Sequence, residues 1–186
     1  LKKLWKFTVD VGEVFGYRNA QVTVLAPTGT ISFAMDCATT SSEPFFSHVA
    51  YKKLVGGGFM EIVNPALQVA LSKLGYTNTQ IQDILDYVLR KEVIDGFEHI
   101  VDGKIEDAPH LQPEHYKIFD TANKCGSGKR FILPEGHVKM MGALTPNITG
   151  AISKTINLPN SATVDDIKEI YLFSWKLGIK SIALYR

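Results

Sequence analysis

Cysteine is almost absent from this sequence: Cys37 and Cys125 are the only two in 186 residues, too few for the cross-linked framework on which small secreted domains rely. Charge of one sign is also missing. Twenty Lys and Arg against nineteen Asp and Glu leave a formal charge of +1, so no uniform field is available to hold a nucleic-acid backbone or an anionic bilayer. An anionic ligand has to be caught locally. Long apolar runs are missing as well, because the charge-free residues 20–35 are interrupted by Pro27 and Gly29 and fall short of the roughly 20 residues a membrane helix needs. The start, Leu1-Lys2-Lys3-Leu4-Trp5, is basic, but Lys6 and Asp10 break what would be the core of a signal peptide. These absences point to a cytoplasmic protein with no nucleic-acid and no membrane partner.

What is present suffices for one core. With 45% hydrophobic and 21% charged residues, residues 1–186 read as a single domain. A first residue of Leu and a strand-like end at Arg186 point to a partial domain cut from something longer.

Apolar periodicity lays out the elements. Leu4, Phe7, Val11 and Val14 share a helical face closed by Gly16. Residues 21–25 alternate around Val22 and Val24 as a strand, Pro27 and Gly29 make a tight loop, and a short helix follows from Thr30. A strand over 49–54 runs into Gly56-Gly57-Gly58. Ile62, Val63, Leu67, Ala70, Leu71 and Leu74 then mark a helix stopped by Gly75, and a second helix, capped by Thr77 or Asn78, buries Ile81, Ile84, Leu85, Val88 and Leu89 in a helical hairpin. Between Glu92 and Arg130 the periodicity fades into short helices and long connections. The last third reads as strand 154–158, a helix capped by Thr163 with Asp166 three residues on, and strand 181–185. Such a βαβ unit pairs its strands in parallel with a right-handed crossover, so the fold class is α/β.

One loop has the makings of an anion site. Ala26-Pro27-Thr28-Gly29-Thr30-Ile31-Ser32 joins strand to helix, which aims unpaired backbone N–H groups and the positive end of a helix dipole at one point. Gly29 permits close approach, and the hydroxyls of Thr28, Thr30 and Ser32 can add hydrogen bonds to phosphate oxygens. Taken alone, Pro-Thr-Gly-Thr also fits a plain turn followed by a cap. Gly126-Ser127-Gly128-Lys129 is not a Walker loop, because Asn123 stands where the first glycine belongs and Arg130 where Ser or Thr should follow. It reads as a solvated turn.

The whole segment from Asn19 to Ser32, Asn-Ala-Gln-Val-Thr-Val-Leu-Ala-Pro-Thr-Gly-Thr-Ile-Ser, closely resembles the phosphate-loop segment of cobalamin-dependent (class II) ribonucleotide reductases. Asp36-Cys37-Ala38-Thr39-Thr40 with Glu43-Pro44, then Tyr51-Lys52-Lys53-Leu54-Val55-Gly56-Gly57-Gly58, is similar to the stretch after the loop in that family. Gly136-His137-Val138-Lys139-Met140-Met141, Gly150-Ala151-Ile152-Ser153-Lys154-Thr155-Ile156-Asn157-Leu158-Pro159 and Trp175-Lys176-Leu177-Gly178 resemble its late barrel segments. The likeness covers nearly the whole chain.

That resemblance implies the later strands and helices of a ten-stranded α/β barrel, incomplete here. It also implies that Pro27, Thr28, Gly29, Thr30, Ile31 and Ser32 hold the phosphates of a ribonucleoside diphosphate or triphosphate that becomes a deoxyribonucleotide. Adenosylcobalamin is the implied cofactor; the implied partners are the missing N-terminal part of the same enzyme and an external thiol reductant such as thioredoxin. In such enzymes a thiyl radical removes the ribose 3′ hydrogen and a cysteine pair reduces the sugar. The family's Asn-Pro-Cys-Gly-Glu finger loop is absent from this sequence, so no catalytic residue is assigned and the chain alone is expected to be inactive. The radical-tyrosine branch ends in Tyr-Tyr-Leu-Arg, whereas this chain reads Ala183-Leu184-Tyr185-Arg186, which favours the cobalamin branch. Two departures stand out: Ala38 replaces an acidic residue, and Ser41-Ser42 replace Gly-Ile. If that glycine has positive φ, Ser41 strains the turn. A non-catalytic nucleotide- or phosphate-binding module derived from the same barrel is the alternative.

The remaining chemistry-bearing residues have plain readings. Cys37 is expected to be a small buried residue, Glu43 a solvated turn residue, and the Met140-Met141 and Phe45-Phe46 pairs core. His110, His115 and His137 are expected at the surface or at helix ends, without a metal site alongside Cys125. Lys52-Lys53 and Lys129-Arg130 are expected to be solvated. Half of a closed barrel should leave apolar faces and a strand edge uncovered.

Overall fold

The computed structural model describes residues 1–53, 55–94, 97–100 and 103–186. Helix α1 spans Lys2–Phe15 and ends at Gly16, whose φ of 77° only glycine adopts cheaply. Its apolar side chains, Leu4, Phe7 and Val14 among them, face solvent.

The strand expected at 21–25 does not form. Leu25 alone makes a parallel bridge, to Ile152, through Leu25 N–H to the Ala151 carbonyl (3.3 Å) and Ser153 N–H to the Leu25 carbonyl (2.9 Å). Side chains take the ladder's place upstream. The Thr149 hydroxyl accepts from the amides of Val22 and Thr23 at 3.0 and 2.9 Å, and the Thr23 hydroxyl accepts from the Thr149 amide at 2.9 Å. Such side-chain partners compete directly with sheet pairing.

Helix α2, Gly29–Ala34, follows as expected. Strands β1, Val49–Lys53, and β2, Phe59–Val63, pair antiparallel, with Gly57 and Gly58 between them at φ of 93° and 83°. Leu54, placed in the first strand by the sequence, lies outside the described residues, as do the side chains of Lys52 and Lys53. Ile62 and Val63 therefore end a strand and do not begin a helix. Pro65 is the reason: its ring clashes with a preceding helical turn and pushes the residue before it into extended backbone. Helix α3, Ala66–Lys73, starts just after it.

Helix α4, Asn78–Val88, begins at Thr77, whose side chain accepts from Gln80 N–H while the Gln80 side chain accepts from Thr77 N–H. Together α3 and α4 bury Leu67, Leu71, Ile81, Ile84 and Val88 against Ile105, Leu111 and Phe119, the first of two cores. The stretch read as connections contains an antiparallel pair, β3, Lys91–Ile94, and β4, Phe97–Ile100. A 3-10 helix, Pro113–Phe119, comes next.

Helix α5, Pro134–Leu144, leads to β5, Thr155–Asn157, then α6, Val164–Lys176, and β6, Ala183–Tyr185. Thr163 and Asp166 cap α6 reciprocally, and β5 pairs in parallel with β6, as the βαβ reading requires. Val138, Met141, Ile152, Ile156, Leu158 and Ile170 form the second core.

The architecture is thus helices mixed with short strands. Among the described residues the sheets are three two-stranded pairs, so the ten-stranded barrel is not assembled within them. Ile31 and Phe33 of α2 and Leu172 and Trp175 of α6 stay exposed, as expected for part of a barrel. No helix among the described residues is long and apolar enough to cross a membrane.

Candidate functional site

Thr28 turns the chain into α2 from left-handed backbone, φ 49° and ψ 33°, a conformation that L-residues with a branched Cβ seldom occupy. Its hydroxyl accepts from the Ser41 amide at 2.7 Å, which ties the bend to the turn after α2. The amides of Gly29, Thr30 and Ile31 begin the helix, where no preceding carbonyl is in place to receive them, and no protein acceptor meets them among the described residues. All three residues are exposed. A Cβ built on Gly29 meets nothing within 4 Å.

Ser32 behaves differently from the other predicted site residues. Its hydroxyl donates to the Gly29 carbonyl at 2.7 Å, its amide donates to the Thr28 carbonyl at 3.1 Å, and its side chain is buried. Both of its donors are consumed within the helix, so Ser32 shapes the bend from inside.

The bend borders a cleft of about 390 Å3, lined by Pro27 and Gly29 on one side and by Glu43, Ser153, Thr155 and Asn157 among others. Glu43 is no solvated turn residue. One carboxylate oxygen accepts from Lys154 Nζ and the other from the Thr155 amide, each at 2.6 Å. Lys154 is 1% exposed at its side chain and completes its ammonium shell with His137 Nδ1 at 3.0 Å and the Thr155 carbonyl at 3.4 Å. His137, expected at the surface or at a helix end, lies near the start of α5 but is only 2% exposed. Burial first, and the neighbouring Lys154 charge second, push its imidazole down to about 4 from the usual 6.5, so it stands neutral beside the ammonium. Lys154 sits between Ile152 and Ile156, and all three are buried. A lysine in register with inward-facing residues was the signal that the sequence offered.

Ser41 has φ of 47°, so the strain expected if Ser replaces a left-handed glycine is present, and its hydroxyl is buried without a partner among the described residues. Ser41→Gly is therefore expected to stabilise the chain by roughly 0.5–1 kcal/mol, visible as a rise in the midpoint of thermal unfolding; a fall would contradict the strain.

The other chemistry-bearing residues lie apart from the cleft. The 126–130 turn is built around a carboxylate: Glu106 Oε1 accepts from the amides of Lys129 and Arg130, both at 2.8 Å. Arg130, read as solvated, makes a paired contact with Asp120 at 2.8 and 2.7 Å. Cys37 is exposed, against its buried reading, and Cys125 is buried beside the Thr121 hydroxyl. Met141 is core but Met140 is exposed, because neighbouring helix side chains point different ways; Phe45 is half-buried and Phe46 exposed, and neither joins a core. His110 is exposed and meets Asp83 at 2.9 Å, and His115 meets the Tyr76 hydroxyl at 2.6 Å. No group of three potential metal ligands gathers among the described residues. His48, not singled out in the sequence, is buried, and desolvation pushes it down to about 4.

Comparison with known proteins gives a consistent family. A family model described as "Ribonucleotide reductase, barrel domain" matches residues 1–185. Over 182 residues the chain is 47% identical to a vitamin B12-dependent ribonucleotide reductase of Streptomyces coelicolor, covering 98% of this chain and 17% of that protein. A protein of the same description from Streptantibioticus cattleyicolor is 49% identical over 182 residues, 98% of this chain and 28% of its own length. One from Rhodopirellula baltica is 46% identical over 185 residues, covering all of this chain and 17% of the relative. The chain thus spans well under a third of these relatives. Among solved structures, the class Id ribonucleotide reductase alpha subunit of Actinobacillus ureae superposes with a TM-score of 0.60 at 21% identity, covering 97% of this chain and 31% of that one, a likeness of fold.

Proposed function

Because the chain belongs to the ribonucleotide reductase barrel family, we propose that it is the portion of a vitamin B12-dependent ribonucleotide reductase that receives the substrate's phosphates. Pro27, Thr28, Gly29, Thr30, Ile31 and Ser32 form the receiving bend. The observation that carries this reading is the set of three consecutive amides, Gly29, Thr30 and Ile31, left without a protein acceptor among the described residues, the first of them in the wall of an open cleft. Phosphate oxygens of a ribonucleoside diphosphate or triphosphate supply the missing acceptors, with the Thr30 hydroxyl adding a donor. Thr28 anchors the bend through Ser41, and Ser32 braces it.

Chemistry on the ribose is assigned to the remainder of the longer enzyme. Neither Cys37 nor Cys125 lines the cleft, so the radical cysteine and the pair recharged by a thioredoxin-like reductant belong to that remainder. Relatives of this chain are named vitamin B12-dependent reductases, and the adenosylcobalamin that would supply the radical is assigned no contact with the residues of this cleft. No step is routed through the corrin in this chain.

Gly29→Val in the complete reductase tests the reading with little risk to the fold, since the added side chain meets open space. Losing two or three charge-assisted hydrogen bonds is expected to raise KM for the nucleotide on the order of 10- to 100-fold, with kcat changed far less. An unchanged KM removes the phosphate assignment. Binding without turnover by the complete wild-type protein favours the non-catalytic module instead.

A further inference from the structure

We propose that Glu43 is a positioning residue for the phosphate-receiving bend: its carboxylate fastens the turn that holds Thr28 to the start of β5 across the cleft. This rests on the phosphate reading above.

The connection is continuous in hydrogen bonds. Thr28 Oγ1 accepts from the Ser41 amide at 2.7 Å. Ser41 lies within the turn that Glu43 closes by donating its amide to the Thr40 carbonyl at 2.9 Å. The Glu43 carboxylate then spans Lys154 Nζ and the Thr155 amide, at 2.6 Å each. Lys154 gives this fastening its stiffness. A buried ammonium has three donors, and here they go to Glu43, to His137 and to the Thr155 carbonyl. Only the first of these acceptors is charged. Swinging Glu43 away strands a desolvated cation, so the turn, and with it Thr28, is held at a fixed distance from Thr155. Both Glu43 and Thr155 also line the cleft, which places the fastening beside the ligand's path.

Three variants of the complete reductase separate this role from simple stability. Glu43→Asp keeps the charge and the fold, but its shorter side chain cannot reach both Lys154 and Thr155 from the same turn. Glu43→Gln/Lys154→Met removes both charges together, which leaves no stranded ion. Both are expected to raise KM for the nucleotide about tenfold with kcat within about threefold of wild type, since the bend is misplaced while the chemistry is untouched. Glu43→Gln alone is expected to raise KM and lower the unfolding temperature, and adding Lys154→Met is expected to restore the temperature and not KM. Should KM return with the unfolding temperature, or stay at the wild-type value in Glu43→Asp and in the double variant, the positioning role is overturned. Gly29→Val distinguishes the two readings: if it raises KM while the Glu43 variants do not, the positioning role alone fails; if it has no effect, the phosphate reading fails with it.

Discussion

Acidification from pH 6.5 to pH 4 is expected to cost the chain on the order of 4–6 kcal/mol of unfolding free energy, through two buried histidines. His48 and His137 are 1% and 2% exposed, and burial lowers each to about 4 from 6.5. Between those values the unfolded chain binds a proton that the folded chain refuses, so stability falls as pH falls. Above 6.5 both states hold neutral imidazoles and the contribution is complete; below about 4 it is gone. Denaturant unfolding across this window measures the loss directly. His137→Gln, which keeps an acceptor for Lys154, is expected to remove about half of the slope, and a stability unchanged from pH 6.5 to 4 rules out buried neutral histidines.

Glu43→Leu is expected to destabilise the chain by about 3–5 kcal/mol, because it leaves the Lys154 ammonium buried with neutral partners alone. The electrostatic origin predicts a signature that lost packing lacks. Adding Lys154→Met should recover most of the loss at neutral pH, and additive penalties in the double variant would rule out an interaction between the two sites.

Elements marked by both period and punctuation were legible in the sequence. Helix α6 shows its apolar face, its Thr163–Asp166 cap and Gly178 together, and the parallel pairing of β5 with β6 is dictated by the short joins around it. Elements resting on one signal were not. Ile62 and Val63 satisfy a helical and a strand period equally, and Pro65 decides between them. Residues 21–25 alternate as a strand does, but Thr149, 126 residues from Thr23, occupies the amides that would have paired. For β3 and β4 the sequence holds an Asp95-Gly96 pair between two β-branched or aromatic runs, a hairpin signal lost in an otherwise aperiodic region.

The candidate site divides in the same way. The helix start at Gly29, with the amides of Gly29, Thr30 and Ile31 unpaired among the described residues, could be anticipated because a glycine among hydroxyl residues there has a local physical meaning. Ser32 was grouped with them by composition, yet its position one turn inside the helix consumes both of its donors. Glu43, His137 and Lys154 were invisible as a group because 111 and 17 residues separate the first and second from the lysine. Long-range ion pairs leave no spacing to read.

The second glycine-rich bend, 126–130, is an anion berth already filled from within the chain. Its amides at Lys129 and Arg130 already grip Glu106, a competitor that can never diffuse away. A tethered carboxylate of this kind acts at an effective concentration of about millimolar or more, so a dilute nucleotide arriving there finds the seat taken. On the phosphate reading proposed above, the tail is left to the bend beside the cleft, and a search for Gly-Ser-Gly-Lys patterns alone picks out a turn whose amides are already bound.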